Sequence, residues 1–233
     1  MISVIIPVYN GAQFIKEAIE SVIRQSIDEI EILVVDDGST DYTKEIIDAI
    51  PYPSIVYYRQ ENQGPSSARN LGLRKARHHY VSFLDADDFW PAGKLKAQLE
   101  AIRHSPSLEI IGGLIEYVYM PGSEYQRKEI DIEKPVFNVQ LGALLINKNV
   151  FEKIGYFNEQ MHLSEDQDWL LRAREKKIAI HILNEIMLYY RIHSGNVTKH
   201  KTTKDLHVLK ALKLSLDRRR EAGIQSLPPI DGL

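Results

Sequence analysis

The residues in this chain best suited by type and spacing to chemistry are Asp85-Ala86-Asp87-Asp88. Two carboxylates separated by one small residue stand where the apolar run Val81-Ser82-Phe83-Leu84 ends, just before Phe89-Trp90-Pro91 opens what reads as the next helix. Paired hard oxygen ligands suit Mg²⁺ or Mn²⁺, which bind through one or two carboxylates together with substrate phosphates. The plainer reading is a solvated loop with Asp87 or Asp88 as helix N-cap, and for these four residues alone that reading is the stronger, because Asp is common at caps and turns.

The rest of the chain tips the balance toward metal. It has neither a G-x-x-x-x-G-K-[ST] loop nor a G-x-G-x-x-G after a strand, so no phosphate-cradling loop is present. A diphosphate would need a cation, which offsets charge developing on a leaving diphosphate as a Lewis acid. There is no cysteine, which excludes disulfides and thiolate zinc sites and leaves oxygen or imidazole as metal ligands. A second acidic pair, Glu165-Asp166, lies in Ser164-Glu165-Asp166-Gln167, the spacing of a capping box with Ser164 as N-cap and Gln167 at N3. Acids in a first turn can simply stabilise the helix by ~0.3–1 kcal/mol. A helix N-terminus also favours the ionised carboxylate, which lowers its basicity.

These acids need elements to hold them. The first half alternates β-rich runs with helix-period segments: Val4-Ile5-Ile6, 14–25, 30–35, 43–50, 55–58, 66–77 and 80–84. That alternation predicts βαβ units and a mostly parallel sheet flanked by helices. Ile15, Ala18, Ile19, Val22 and Ile23 form the apolar stripe of the first helix. Pro7-Val8-Tyr9-Asn10, Asp36-Asp37-Gly38-Ser39 and Asp85-Ala86-Asp87-Asp88 each follow an apolar strand, so all three fall at strand carboxyl ends, where an open parallel sheet binds ligands. In the second half, 110–114, 141–146, 178–183 and 187–192 read as strands, 121–135 as a polar excursion loop, and 205–221 as a terminal helix.

At 233 residues, 44% hydrophobic and 26% charged, the chain is expected to form one soluble α/β domain over 1–221, with a tail at 222–233. A net charge of -3 gives no basic footprint, so no nucleic-acid partner is expected. The opening Ile2-Ser3-Val4-Ile5-Ile6 run has no basic leader, and no apolar run approaches the roughly 20 residues of a membrane span, so a cytoplasmic location is expected. In the last helix Lys204, Lys210, Lys213 and Arg218-Arg219-Arg220 accompany Leu206, Leu209, Leu212 and Leu216. That pattern reads as a packed helix with a solvated basic face, or as peripheral contact with the inner face of a membrane.

Taken in order, Val4-Ile5-Ile6-Pro7-Val8-Tyr9-Asn10, Val34-Val35-Asp36-Asp37-Gly38-Ser39-Thr40-Asp41, Asn62-Gln63-Gly64 with Ala68-Arg69-Asn70, Asp85-Ala86-Asp87-Asp88, Gly155-Tyr156-Phe157 and Glu165-Asp166 give the chain a close resemblance to glycosyltransferase family 2, over about residues 2–198. The resemblance implies the Rossmann-like glycosyltransferase A fold, with a nucleotide-binding half to about residue 105 and an acceptor-binding half from there to about 198. It implies an inverting transfer of one sugar from a nucleoside-diphosphate sugar, with uracil the usual base and thymine or guanine the variants. The acceptor would be a glycan or lipid-linked glycan hydroxyl in polysaccharide, cell-surface glycan or glycolipid synthesis.

By resemblance, Pro7, Val8, Tyr9, Asn10, Asp36, Asp37, Arg69, Asp85 and Ala86 hold the nucleotide, with Asp36 favoured over Asp37 and Asp41 left as a helix cap. Mn²⁺ or Mg²⁺ falls to Asp87, with Asp85 on the ribose or beside the metal and His193 as a further ligand. Asp166 would be the general base with Glu165 beside it, and Asp168 a structural or acceptor-side residue. Tyr190-Arg191-Ile192-His193 with Asn196 and Thr198 matches the family's ending, while the Q-x-x-R-W signature of processive members is absent. Two rival readings remain at this point: a catalytically silent nucleotide-sugar-binding assembly protein, and an aspartyl-nucleophile phosphatase. Oligomeric state is not legible.

Overall fold

The first strand, β1 (Ile2–Val8), is buried at every residue, as expected for a strand covered on both faces. The computed structural model describes residues 1–121, 134–161, 163–196 and 207–232. After β1 come α1 (Ile15–Ile23), β2 (Ile30–Asp36), α2 (Thr43–Asp48), β3 (Ile55–Arg59), α3 (Pro65–Lys75), β4 (Tyr80–Phe83) and α4 (Lys94–His104). The chain continues with β5 (Ile110–Tyr119), a 3₁₀ turn (Leu141–Ala143), β6 (Leu145–Asn147), α5 (Asn149–Ile154), α6 (Glu165–Glu175), β7 (Ile180–Ile192) and α7 (Val208–Glu221).

The seven strands form one sheet in the order β3-β2-β1-β4-β6-β5-β7. Only β6 runs against its neighbours; β1 is parallel to β2 and β4, β2 to β3, and β5 to β7. The α/β sandwich expected from the sequence is therefore present, and its strand order reverses beside β1, where loops after β1 and β4 diverge into a crevice. Side-chain alternation fills both faces. Val4, Ile6 and Val8 pack with Ile15, Ile19, Ile47 and Leu95 from α1, α2 and α4. Ile5, Leu33 and Phe83 pack with Leu73, Phe151 and Trp169 from α3, α5 and α6.

Several boundaries differ from the sequence reading. The helix after Asp88 begins at Lys94 rather than Phe89, because Phe89 pairs its main chain with Tyr189 of β7 instead. The two runs read at 178–183 and 187–192 are one strand, β7, bonded along most of its length to β5. The strand read at 141–146 is split into the 3₁₀ turn and β6. Ser164 is no capping-box residue: it is left-handed (φ 61°) and its side chain makes no cap hydrogen bond. The tail folds back, with Asp231 O accepting from Ile182 N at 2.9 Å and Pro228 O from Arg174 Nη2 at 2.9 Å. Most of the loop read at 121–135, together with Thr198, Lys204, Asp205 and Leu206, lies outside the described residues. Among the described residues no helix is long and apolar enough to cross a membrane.

Under the sheet lies a buried lysine. Lys94 is 1% exposed and its Nζ donates to Gln98 Oε1 (2.9 Å) and Ser82 Oγ (3.2 Å), 4.0 Å from the centroid of Trp90. Burial depresses its pKa well below 10.5. Between that lowered value and 10.5 the unfolded chain binds more protons there than the native chain, so across that window stability should rise with pH, by up to about 1.4 kcal/mol per pH unit. Denaturant titrations at a series of pH values should show this rise in the native chain and its loss in Lys94→Met.

Candidate active site

Pro7 and Val8 close β1, Tyr9 and Asn10 continue it, Asp37 follows β2, and Asp85, Ala86 and Asp87 follow β4; all line one cleft of about 1060 Å³. Arg69 enters from α3, Glu165 and Asp166 from the start of α6, and His193 from just beyond β7. Of the residues expected at a site, only Asp36 is outside this lining.

Asp36 is fully buried, and its carboxylate accepts from Ser39 N (2.7 Å) and Tyr57 Oη (2.5 Å). That preference is corrected: Asp36 holds the β2 turn, and its neighbour faces the cleft. Asp37 accepts from Gln60 Nε2 (2.7 Å) and Gln63 N (2.9 Å) on Oδ1 and from Gly64 N (2.8 Å) on Oδ2, leaving Oδ2 room for one more donor. Gly64 is at φ 90°, a conformation that favours glycine and lets its N–H turn toward Asp37. Asn10, left-handed at φ 51°, accepts from Thr40 N through its side-chain oxygen (2.8 Å), while Asp41 accepts from Ala12 N (3.0 Å) and Thr43 N (3.1 Å). Asn10 thus stitches two loops together, and Asp41 is structural as expected. Tyr9 keeps 53% of its surface exposed at the cleft wall, free to stack on a planar ligand.

Arg69 is the junction between the two halves. Buried on α3, it donates Nη2 to Asp85 Oδ1 (2.6 Å) and Nη1 to Glu165 Oε1 (2.5 Å), and the two carboxylates hold its pKa above the ordinary value although burial pulls the other way. Its terminal nitrogens are therefore engaged by acids, and it positions Asp85 and Glu165 rather than offering an open fork to phosphate. Beside it, Asn70 donates to Phe157 O (2.9 Å) and accepts from Phe157 N (3.0 Å), so Gly155-Tyr156-Phe157 serves to dock α3 against the second half.

Asp166 is half-buried, and burial with the adjacent Glu165 charge pushes its pKa up to about 7, against the pull of Arg69 and the Gln167 N–H. Burial outweighs the helix N-terminus here, reversing the lowered basicity expected from the sequence. Glu165, 7% exposed and paired to Arg69, is a positioning residue. Asp168 is turned toward Arg172 (3.0 Å) and Arg218 (3.0 Å), which makes it structural.

Asp88 is not a helix cap. It is buried and accepts Arg191 N at 2.9 Å, and burial with the charges of Asp87 and Asp85 raises its pKa well above the carboxylate range. Asp87 and Asp85 are about one-third exposed. His193 Nε2 lies 3.1 Å from Asp87 Oδ2, while Gly195 N donates to His193 Nδ1 at 3.1 Å. The fixed N–H of Gly195 makes Nδ1 the acceptor, so Nε2 carries the proton and donates to Asp87. In this tautomer His193 holds the Asp87 carboxylate in place.

Among the described residues no three His, Cys, Asp or Glu side chains form a ready-made metal cage. Two accessible carboxylates nevertheless fit Mg²⁺ or Mn²⁺, which take few protein ligands and complete their shell with phosphate and water.

Arg191, named in the sequence only as part of the Tyr190-Arg191-Ile192-His193 motif and given no role there, buttresses the site from behind the cleft wall. It is 1% exposed, with its guanidinium 4.5 Å from the Phe89 ring centroid and 5.3 Å from that of Phe14. Nη1 donates to Asp87 O (3.0 Å) and Nη2 lies 2.5 Å from Glu17 Oε2. The signal was a charge within the apolar run Leu188-Tyr189-Tyr190-Arg191-Ile192, which a strand buries only for a purpose.

Comparison with known proteins follows the same outline. The sequence profile described as "Glycosyl transferase family 2" matches residues 3–163. A Rickettsia prowazekii protein named as an uncharacterized glycosyltransferase is 33% identical over 213 residues, covering 85% of this chain and 66% of that protein. Glycosyltransferase GlyG of Streptococcus pneumoniae is 28% identical over 222 residues, covering 85% of this chain and 73% of GlyG. Staphylococcus aureus TarS in complex with UDP-GlcNAc superposes with a TM-score of 0.73 at 23% identity, over 92% of this chain and 65% of that one. Mannosyltransferase PcManGT from Pyrobaculum calidifontis, in complex with GDP-Man and Mn²⁺, gives 0.64 at 21% identity, over 98% of this chain and 66% of that one. At those identities the two structures share the fold. The chain spans 66% or less of the length of its four Rickettsia relatives at 31–33% identity.

With Asp85 and Asp87 as candidate ligands of Mn²⁺, Arg191→Ala is expected to weaken any Mn²⁺ binding there by about ten- to a hundredfold, the usual effect of removing a group that orients ligands, and Arg191→Lys to restore only part of it. Loss of the free-ion electron paramagnetic resonance signal on titration measures this without turnover.

Proposed function

Because this chain belongs to glycosyl transferase family 2, we propose that it transfers a single sugar from a nucleoside-diphosphate sugar, UDP-linked in the first instance, to an acceptor hydroxyl with inversion at the anomeric carbon. The observation that carries the reading is the convergence of Asp85 and Asp87 from β4 with Asp166 from α6 on one cleft, joined through Arg69. Metal-binding acids and a base of near-neutral pKa are the two parts such a displacement needs.

Pro7, Val8, Tyr9, Asn10 and Asp37 form the nucleoside end, with Tyr9 stacking on the base and Asp37 Oδ2 accepting from a ring N–H. Ala86 leaves room for the ribose beside Asp85. Asp87, with Asp85 beside it, would hold Mn²⁺ or Mg²⁺, and His193 keeps Asp87 in place. That cation, when bound, supplies charge compensation for the leaving diphosphate. Asp166 takes the proton of the attacking hydroxyl while that oxygen bonds to the anomeric carbon and the carbon–diphosphate bond breaks on the opposite side. Glu165 and Arg69 fix the base and set its affinity for the proton. The acceptor, a glycan or lipid-linked glycan, would enter from the side of Tyr117, Asn138 and Gln140, which line the cleft in the second half.

Thermal shift with UDP- and GDP-sugars, with and without Mn²⁺, tests donor binding: a donor at a hundred times its Kd should stabilise by about 2.7 kcal/mol. If no donor shifts the transition under any condition, the reading fails. Asp166→Asn should lower transfer by about a hundred- to ten-thousandfold while leaving that shift nearly unchanged. The acid limb of kcat/KM should fall near pH 7, since Asp166 must be ionised to accept a proton. Glu165→Gln removes a neighbouring negative charge and should move the limb to lower pH; an unmoved limb would show that another group titrates.

A further inference from the structure

The helix α7 carries a surface that sugar transfer does not use. Its inner face is buried at Ala211 and Ser215 and pinned to α6 by Arg218, which reaches Asp168 Oδ1 (3.0 Å) and Glu175 Oε2 (2.7 Å). Its outer face leaves Leu209, Leu212 and Leu216 at 60%, 46% and 44% exposure. These recur at three- and four-residue spacing and so form one stripe. Lys213 and Arg220, each four residues from a stripe leucine, border it, and both are exposed. Arg219 lies on its other border, three residues from Leu216; Glu221 falls on the far side with Lys210, and Asp217 lies between, its carboxylate 4.0 Å from Arg220 Nη1.

We propose that α7 is an interfacial docking helix that lays Leu209, Leu212 and Leu216 into the surface of an anionic lipid bilayer. An apolar stripe bordered by lysine and arginine matches the acyl boundary beneath a layer of negative headgroups. The chain's overall charge of -3 would repel such a surface, so attraction must be local, and α7 concentrates basic residues around its only exposed leucines among the described residues. The pinning by Arg218 makes the seat rigid with respect to α6, the helix that carries Asp166. Val208, the first residue of α7, lines the cleft together with Met120 and Pro121, so the cleft reaches the start of the docking helix. The docking itself is independent of the reaction performed in the cleft. Given sugar transfer, it brings the cleft close to lipid-anchored hydroxyls.

The test is flotation with vesicles of phosphatidylcholine alone and of phosphatidylcholine mixed with phosphatidylglycerol, without donor or metal. The full chain should float with the anionic vesicles and not with the neutral ones, and salt should release it. Replacing Leu209, Leu212 and Leu216 together by Gln should lower partitioning by about a hundredfold. Lys213→Glu with Arg220→Glu should lower it by about tenfold or more. Unchanged unfolding midpoints and donor-induced thermal shifts would show that both variants remain folded. Failure of the native chain to float with anionic vesicles overturns the proposal, as does flotation that the leucine replacements leave unchanged. A native dimer that those replacements convert to monomer, with no vesicle binding, would assign the stripe to a second copy instead. Because no donor enters the assay, a negative result here leaves the sugar-transfer reading standing, and failed donor binding leaves the docking result standing.

Discussion

A guanidinium removed from water must be matched by negative charge, and the arrangement of the cleft depends on how Arg69 meets that demand. Its partners come from opposite halves of the chain: Asp85 from the loop after β4 and Glu165 from the start of α6. Losing either would leave a buried charge half-compensated, a defect commonly costing several kcal/mol. The pairing therefore fixes the distance between the acids proposed to meet the diphosphate and the acid proposed to meet the acceptor. Asp166 inherits its basicity from the same cluster, since Glu165 raises its pKa and Arg69 lowers it.

Arg191 performs a comparable task on the opposite wall, by other means. It is packed between Phe14 and Phe89 and grips the main-chain oxygen of Asp87, so the carboxylates are fixed through the backbone that carries them. His193 holds the Asp87 carboxylate, and Asp88, the next residue of the loop, is anchored by accepting from Arg191 N, so both the backbone and the side chain of Asp87 are oriented. Two accessible carboxylates held this firmly can serve a cation without a full protein cage, because little is lost in ordering them when the substrate's oxygens complete the shell.

The β1–β4 half was legible because period-two and period-3.6 patterns there coincide with strands and helices buried on definite faces, and because the polar clusters follow their strands at once. The second half was harder to read. Asn184-Glu185 breaks the apolar pattern of β7 without breaking the strand, since β5 continues to pair across a bulge. Asp36 and Asp37 are indistinguishable as letters; alternation along β2 turns the first inward to Tyr57 and leaves the second at the cleft. Ser164 has the right spacing for a capping box but a backbone that cannot use it. Arg69 was recognised by position, yet its partners, 16 and 96 residues away, are visible only in three dimensions.

The tail bears on one edge of the sheet. β7 is one of the two edge strands, with β3 at the other side, and an edge strand offers unpaired amides and carbonyls to any passing strand. Residues near Asp231 take up part of that capacity: the main chain bridges to β7, and the Asp231 carboxylate lies 2.6 Å from His181 Nδ1. A Cβ on Gly232 would come within 2.1 Å of Ile182 O, so the fit admits nothing larger than glycine there. The segment read from sequence as a tail thus covers part of the β7 edge, leaving fewer unpaired groups there for strand addition.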